Sequence, residues 1–363
     1  MKLKINRSEF AKAVAIAQRA ISSRSTIQIL EGFCLKAADN IVTLIASDTE
    51  ITIKTQLSAI VDEGGDIVVN ARLFGDIIRK FQGDTIDLSV NGTTMLLKCE
   101  QSTFTLQCQS TDEFPLLPSF EIDHDFTLEG HTLKEAIRKT SFAVSLDETR
   151  PVFTGVFMDL KNDGIHFVAL DGFRMAFKTV DVTTEDGSAI IPARSLNELL
   201  KILGDEQVRV QLSKNMAMFS TDTTVLYTTL LSGDFFNYEA LITKEYATEV
   251  EVDHRSFQAS LERASLLAKE DRANLVKIEV SSDQLKISSN SEIGNVEELV
   301  PCTTIGKPVR IAFNSKYLLD GIKILESESL KLHLTDSVNP CIIREDDLSY
   351  LYLVLPVRLA EQG

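Results

Sequence analysis

Asn70-Ala71-Arg72-Leu73-Phe74-Gly75-Asp76-Ile77-Ile78-Arg79-Lys80-Phe81 decides how the rest of the chain is read. Its charges recur 122 residues on as Arg194, Glu198 and Lys201, and after another 122 as Lys316, Asp320 and Lys323. The apolar positions keep step as Phe74/Leu196/Leu318, Ile78/Leu200/Ile322 and Phe81/Leu203/Leu325. The set Ile77/Leu199/Gly321 does so with one lapse, the glycine. With Arg72 at zero and about 100° per residue, Asp76 falls near 40° and Arg79 near −20°. Phe74, Ile77, Ile78 and Phe81 gather on the opposite side. One amphipathic helix is thus written three times, each starting after Asn70, at Pro192 or after Asn314. Asn caps the free N–H groups of a first turn, and Pro is tolerated there.

Working outward, the flanks repeat as well. Each copy opens on a short alternating strand: Leu3 and Ile5, then Phe126 and Leu128, then Val250 and Val252. A first helix follows, with Phe10, Val14 and Ala17 answered by Leu133, Ile137 and Thr140, then by Phe257, Leu261 and Ala264. Those i, i+4, i+7 positions define one buried face. Two period-2 runs then flank Asp39-Asn40, Asn162-Asp163-Gly164 or Ser282-Asp283, as hairpins do. Closing strands carry Ile86, Leu88 and Val90, then Val208, Val210 and Leu212, then Leu330, Leu332 and Leu334. The expected class is α+β, in three tandem copies of two helices on antiparallel sheet. The copies span residues 1–120, 121–246 and 247–363, with breaks at Phe114-Pro115-Leu116-Leu117-Pro118 and near Thr243 to Thr248.

At 363 residues and 44% hydrophobic content, the chain has ample material for such cores. No run approaches a membrane span. The opening MKLKINRSEF alternates and reads as a strand, not a signal peptide. Five cysteines without a CxxC pair fit reduced thiols in a cytoplasmic protein. A net charge of −16 argues on its face against a polyanion partner. A chain acidic outside and basic on one inner surface has the same sum. The charged stripe has an ordinary explanation too: it is a solvated helix face, on which Arg72 and Asp76 can pair at i, i+4.

Enzyme chemistry leaves no trace. There is no phosphate-binding glycine loop, no HExxH and no GxSxG elbow. His124, His131, His166, His254 and His333 have no ligand spacing, and the first two fall in a segment read as linker and strand. Glu297-Glu298 and Asp346-Asp347 read as solvated loop charge. Catalytic residues, cofactors and metal are all expected to be none.

Certain local strings point further. Tyr352-Leu353-Val354-Leu355-Pro356-Val357-Arg358-Leu359 closely resembles the ending of the bacterial DNA polymerase III beta subunits, the beta sliding clamp family. Ala169-Leu170-Asp171-Gly172-Phe173-Arg174-Met175 resembles that family's second-domain turn, and Ser22 to Ser25 with Ile29-Leu30 its first-domain loop. The resemblance spans the whole chain. It implies a non-catalytic processivity factor: a head-to-tail homodimer closing a six-domain ring around duplex DNA, with helices lining the hole and sheets outside. Retention is then topological, and phosphate contacts carry no sequence information. Partners implied are the replicative polymerase, the clamp loader, and repair polymerases and other proteins carrying a short apolar peptide.

Carried over by position, Arg24 resembles a DNA-contacting loop residue. Arg72, Arg79, Arg194, Lys201, Lys316 and Lys323 follow from the repeat, given the ring; Lys12, Arg19, Arg138 and Arg263 on the first helices do not repeat. The family's peptide pocket maps to Phe153, Leu170, Gly172, Phe173, Arg174, Met175, Leu241, Leu353, Val354, Leu355, Pro356, Val357 and Arg358. Phe173 stands where the family usually has His, and Phe236 where Pro is typical. The dimer contact implied sets Phe104 and Leu106, on the edge-like run STFTLQ, against Leu266 and Leu267; intradomain core is the alternative for all four. The tail Ala360 to Gly363 extends past the family's usual end. Two other readings stay open here: an enzyme with a site between copies, and a monomeric hub using the Leu353–Leu359 groove.

Overall fold

The computed structural model describes residues 1–22, 27–242, 245–270, 274–344 and 349–358. Arg24, Asp346-Asp347 and Ala360 to Gly363 lie outside the described residues. Among the described residues six α-helices appear at the expected places: α1 (Arg7–Ala17), α2 (Ala71–Lys80), α3 (Gly130–Thr140), α4 (Ala193–Ile202), α5 (His254–Ala268) and α6 (Ser315–Ile322). Asn6, Asn70, Asp253 and Asn314 cap four of them, each carboxyl or amide oxygen accepting from a first-turn N–H. Such caps hold about 1 kcal/mol each. His131 falls in the first turn of α3, so the linker-and-strand reading of that histidine is corrected.

The copies repeat in register as well as in sequence. Each opening strand pairs antiparallel with its own closing strand: Leu3 opposite Leu88, Phe126 opposite Val210, Val250 opposite Leu332. The three hairpins form around the expected turns. Asp39 and Asn40 both take positive φ, 52° and 59°, as a two-residue hairpin turn requires. Aromatic packing closes the first core: Phe74 of α2 meets Phe10 and Phe33 edge-on, both at 5.5 Å. Each such fully buried side chain contributes roughly 1.5–3 kcal/mol.

Two compact units result. Met1–His131 with Glu198–Leu230 forms one, and Thr132–Asn197 with Leu231–Gly363 the other. The first holds a five-stranded sheet and an eight-stranded sheet; the second holds a twelve-stranded sheet. In the eight-stranded sheet, strand Thr224–Thr229 of the second copy pairs with strand Ile51–Ser58 of the first. In the twelve-stranded sheet, strand Tyr350–Val354 of the third copy pairs with strand Arg174–Val180 of the second. One type of strand pairing therefore joins successive copies twice.

Three expectations change in detail. Gly321 is not a lapse. A Cβ there would collide with the Tyr352 ring, which lies fully buried against α6. Asp76 pairs with Arg79, not with Arg72. Glu297 and Glu298 lie in the long strand Gly294–Gly306, not in a loop; Glu298 accepts two hydrogen bonds from Arg263. All five cysteines are free thiols, and burial pushes Cys341 up to about 12.

Candidate functional site

The six repeated cations sit on the exposed sides of α2, α4 and the α6 segment, opposite buried Phe74, Leu196 and Leu318. They divide by partner. Arg79 pairs with Asp76, Lys201 with Glu198 and Lys323 with Glu262. Arg72 and Lys316, at the helix starts, make no ion pair among the described residues; Arg194 shares their position in the repeat. The acids differ more than the bases do. Glu198 also accepts from Arg19 at 3.2 Å, and Asp320 is drawn to Arg174 at 2.7 Å. Of the non-repeating cations, Arg138 pairs with Glu326 and Arg263 with Glu298.

An apolar cluster, the candidate groove, lies on the twelve-stranded sheet. Leu170, Met175 and Leu353 form a row across three adjacent strands: Leu170 opposes Met175, and Met175 opposes Leu353. Val168, Tyr238, Ile342 and Leu351 extend the buried floor. Phe153, Phe157, Phe235, Leu241 and Ile242 pack against it only half-buried, so they form walls. The last described residues complete the rim. Leu355 N–H donates to Phe173 O and Val357 N–H to Ala312 O, both at 2.8 Å, which tethers the chain on either side of Pro356. Val354 is buried; Leu355 and Arg358 are exposed.

The turn at 171–174 sets one end of this groove. Gly172 takes φ +90°, open to glycine without strain. Phe173 stands 57% exposed, its ring stacked on Tyr317 at 5.8 Å. Arg174 is buried, and its guanidinium is fully engaged. Nε donates to Asp171, Nη1 to Asp320 and Nη2 to Phe142 O. Arg174 therefore fixes the turn.

The repeat sets the second copy apart at this place. The residue pair equivalent to Leu170–Met175 is Ser47–Thr52 in the first copy and Asn290–Asn295 in the third. Ser47 and Thr52 are buried and hydrogen-bonded to each other at 2.8 Å. Only the second copy offers apolar side chains there. Comparing the three hairpins in the sequence would have exposed this contrast; Tyr238, Val168, Ile342 and Tyr317 carried no local signal.

The expected contact residues separate. Phe104 lies on strand Ser102–Gln107, at the free edge of the five-stranded sheet, and is 41% exposed. Leu106 is buried on that strand. Leu266 projects from α5, 65% exposed, and Leu267 is half-buried.

Profiles of the DNA polymerase III beta subunit match nearly all of this chain: the N-terminal domain over residues 1–118, the central domain over 127–237 and the C-terminal domain over 239–358. The chain belongs to the DNA polymerase III beta subunit family. The beta sliding clamp of Bacillus subtilis is 34% identical over 99% of this chain and 100% of its own length, and that of Staphylococcus aureus 33% over 99% of each. Solved structures agree. The B. subtilis DNA polymerase sliding clamp superposes with TM-score 0.95 at 32% identity, and the Streptococcus pyogenes beta subunit with 0.96 at 29%, each covering 99% of this chain and 100% of the other. A Pseudomonas aeruginosa sliding clamp bound to griselimycin aligns over 99% of this chain and all of its own, with TM-score 0.95 at 25% identity. The chain is thus a sliding clamp of three tandem clamp domains, in which helices pack on antiparallel sheets.

Proposed function

We propose that two copies of this chain close head to tail into a ring around duplex DNA, and that the ring tethers polymerases through the Leu170–Met175–Leu353 groove. The repeated strand junction carries the reading. Register aligns Phe104, Leu226 and Tyr352 as one position in the three copies. Leu226 and Tyr352, each inside a junction, are 1% and 0% exposed, whereas Phe104 is 41% exposed at a free edge. The complementary edge is the outer side of residues 294–301, equivalent to the strands 51–58 and 174–180 that accept the two internal junctions. A chain with one donor edge and one acceptor edge left over closes with a second copy; head-to-tail contacts that close give rings.

Side chains follow the same equivalence. Phe142 packs on Tyr352 at 5.5 Å, and the helix register makes Leu266 the counterpart of Phe142. Phe104 of one copy is therefore assigned to Leu266 of the next, beside Leu106 and Leu267. The three clamp domains take 1–120, 121–246 and 247–363. In the ring, Arg72, Arg79, Arg194, Lys201, Lys316 and Lys323 face phosphate, with Arg24 as a further contact. The clamp loader, the replicative polymerase and repair polymerases insert a short apolar peptide into the one groove that each chain provides. Walls from Phe153 and Leu241, and a rim from Phe173, Leu355 and Pro356, give that peptide its affinity; the polar turn orients it. The clamp performs no reaction itself. It raises the polymerase's effective concentration at the primer end, in the cytoplasm where bacterial replication proceeds.

Primed circular DNA, the cognate polymerase and clamp loader test this together. Adding the protein lengthens products per binding event at least tenfold, and Leu353→Asp abolishes the gain while the protein still dimerises. Equal product length with and without the protein would refute the tethering role.

A further inference from the structure

The floor of the groove is built on a buried tyrosine whose hydroxyl is held from behind. Tyr238 opens the 3-10 turn Tyr238–Leu241, so the residue that closes that turn is a groove wall. Its ring lies in the cluster with Val168, Leu170, Met175 and Leu353. Its hydroxyl donates to Asp159 Oδ2 at 2.7 Å, and His166 Nδ1 lies 2.8 Å from the phenolic oxygen of Tyr238 itself. Asp159 and His166 face each other directly across two adjacent strands. The phenol has one proton, given to Asp159, so His166 supplies the second hydrogen bond from Nδ1–H. Lys161 pairs with both Asp159 and Glu239, the residue after Tyr238, and sits 5.9 Å from the Tyr238 ring centroid. Burial and the nearby Lys161 charge hold His166 below its ordinary value, while Asp159, Asp163 and Glu239 oppose that shift. Its neutral form already carries the required N–H if the proton is on Nδ1.

Period-2 alternation explains the layout. Phe157 and Asp159 share a face with His166, Val168 and Leu170. Apolar residues at one end of that face form the groove, and polar ones at the other end grip Tyr238.

We propose that Tyr238, clamped by Asp159 and His166, is the positioning residue that fixes the groove floor and the Leu241 wall, so that peptide affinity depends on a polar network beyond the floor. The inference rests on the groove reading above. Losing the clamp frees the 3-10 turn to shift, and a peptide must then pay to re-order it.

The test is the Kd of a fluorescein-labelled peptide, carrying the clamp-binding segment of the cognate replicative polymerase, for the full-length dimer and its variants. Tyr238→Phe and Asp159→Ala are each expected to weaken binding five- to twentyfold through faster dissociation. Asp159→Asn, which keeps an acceptor for the phenol, stays within twofold of wild type. Combining Asp159→Ala with Tyr238→Phe weakens binding no further than the stronger single variant, because both break one linkage. Dimer mass by light scattering and melting temperature check that each variant is folded. Folded Tyr238→Phe and Asp159→Ala dimers that bind within twofold of wild type would overturn the inference and leave the groove intact. Wild-type protein that fails to bind the peptide would overturn the groove reading and the inference with it.

Discussion

Arg174 donates a hydrogen bond from each nitrogen of its guanidinium, two going to carboxylates and one to a carbonyl. From sequence it was one residue of a carried-over pocket, and its type gave no hint that the guanidinium would be buried. Arg174→Ala should destabilise the fold by about 2–3 kcal/mol, the low side for a broken buried pair because Asp320 keeps solvent contact; urea unfolding measures it. Gly321 is the sharper lesson. In the repeat it read as a defect, because its reason lies in Tyr352, more than one element away in the chain. Gly321→Ala forces a methyl against that ring and should cost about 1–3 kcal/mol, seen as a lower urea midpoint with the slope unchanged. Arg72 and Lys316 were legible, since exposure and charge both follow from helical period. Replacing both with Glu should weaken direct, loader-independent binding of the clamp to linear duplex and make it more salt-sensitive, alike on every sequence, while leaving retention on circles intact. The matching change at Lys323, already paired with Glu262, should act more weakly.

At the scale of the element, most of the architecture was written in the spacing. Second-helix starts and closing strands fall at 122-residue offsets, and first-helix starts and hairpin turns within two residues of that spacing, because period and turn chemistry are local. Edges were not local. STFTLQ reads as an edge strand from its alternating polar residues, but its proposed complement, residues 294–301, carries no such local signal, since a free edge is defined by which strand fails to arrive. The acidic pair Glu297-Glu298 made that stretch look like a loop. Burial sorts the contact residues as well: Phe104 and Leu266 are exposed, and Leu106 supports its own sheet. Phe104→Asp or Leu266→Asp should therefore raise the dimer dissociation constant at least thirtyfold, consistent with about 2 kcal/mol or more for a central interface anchor. Sedimentation equilibrium reads this directly, and each variant's monomer should keep its near-ultraviolet aromatic spectrum.

Across the whole molecule, a net charge of −16 and a DNA partner are reconciled by where charge sits rather than by its sum. In the proposed ring, repeated cations on three helices supply a weak, sequence-blind attraction, and closure of the ring supplies retention. The proposed groove is the asymmetric part: three copies share a scaffold, but the second alone has an apolar pair at this hairpin end. Encirclement is the central claim, and DNA topology tests it most directly. The protein is loaded by a clamp loader with ATP onto nicked circular plasmid, isolated at moderate salt, and half of the complex is linearised. A closed sliding ring stays on circles and runs off the linear ends. Equal loss from both forms, or equal persistence on both, would contradict it.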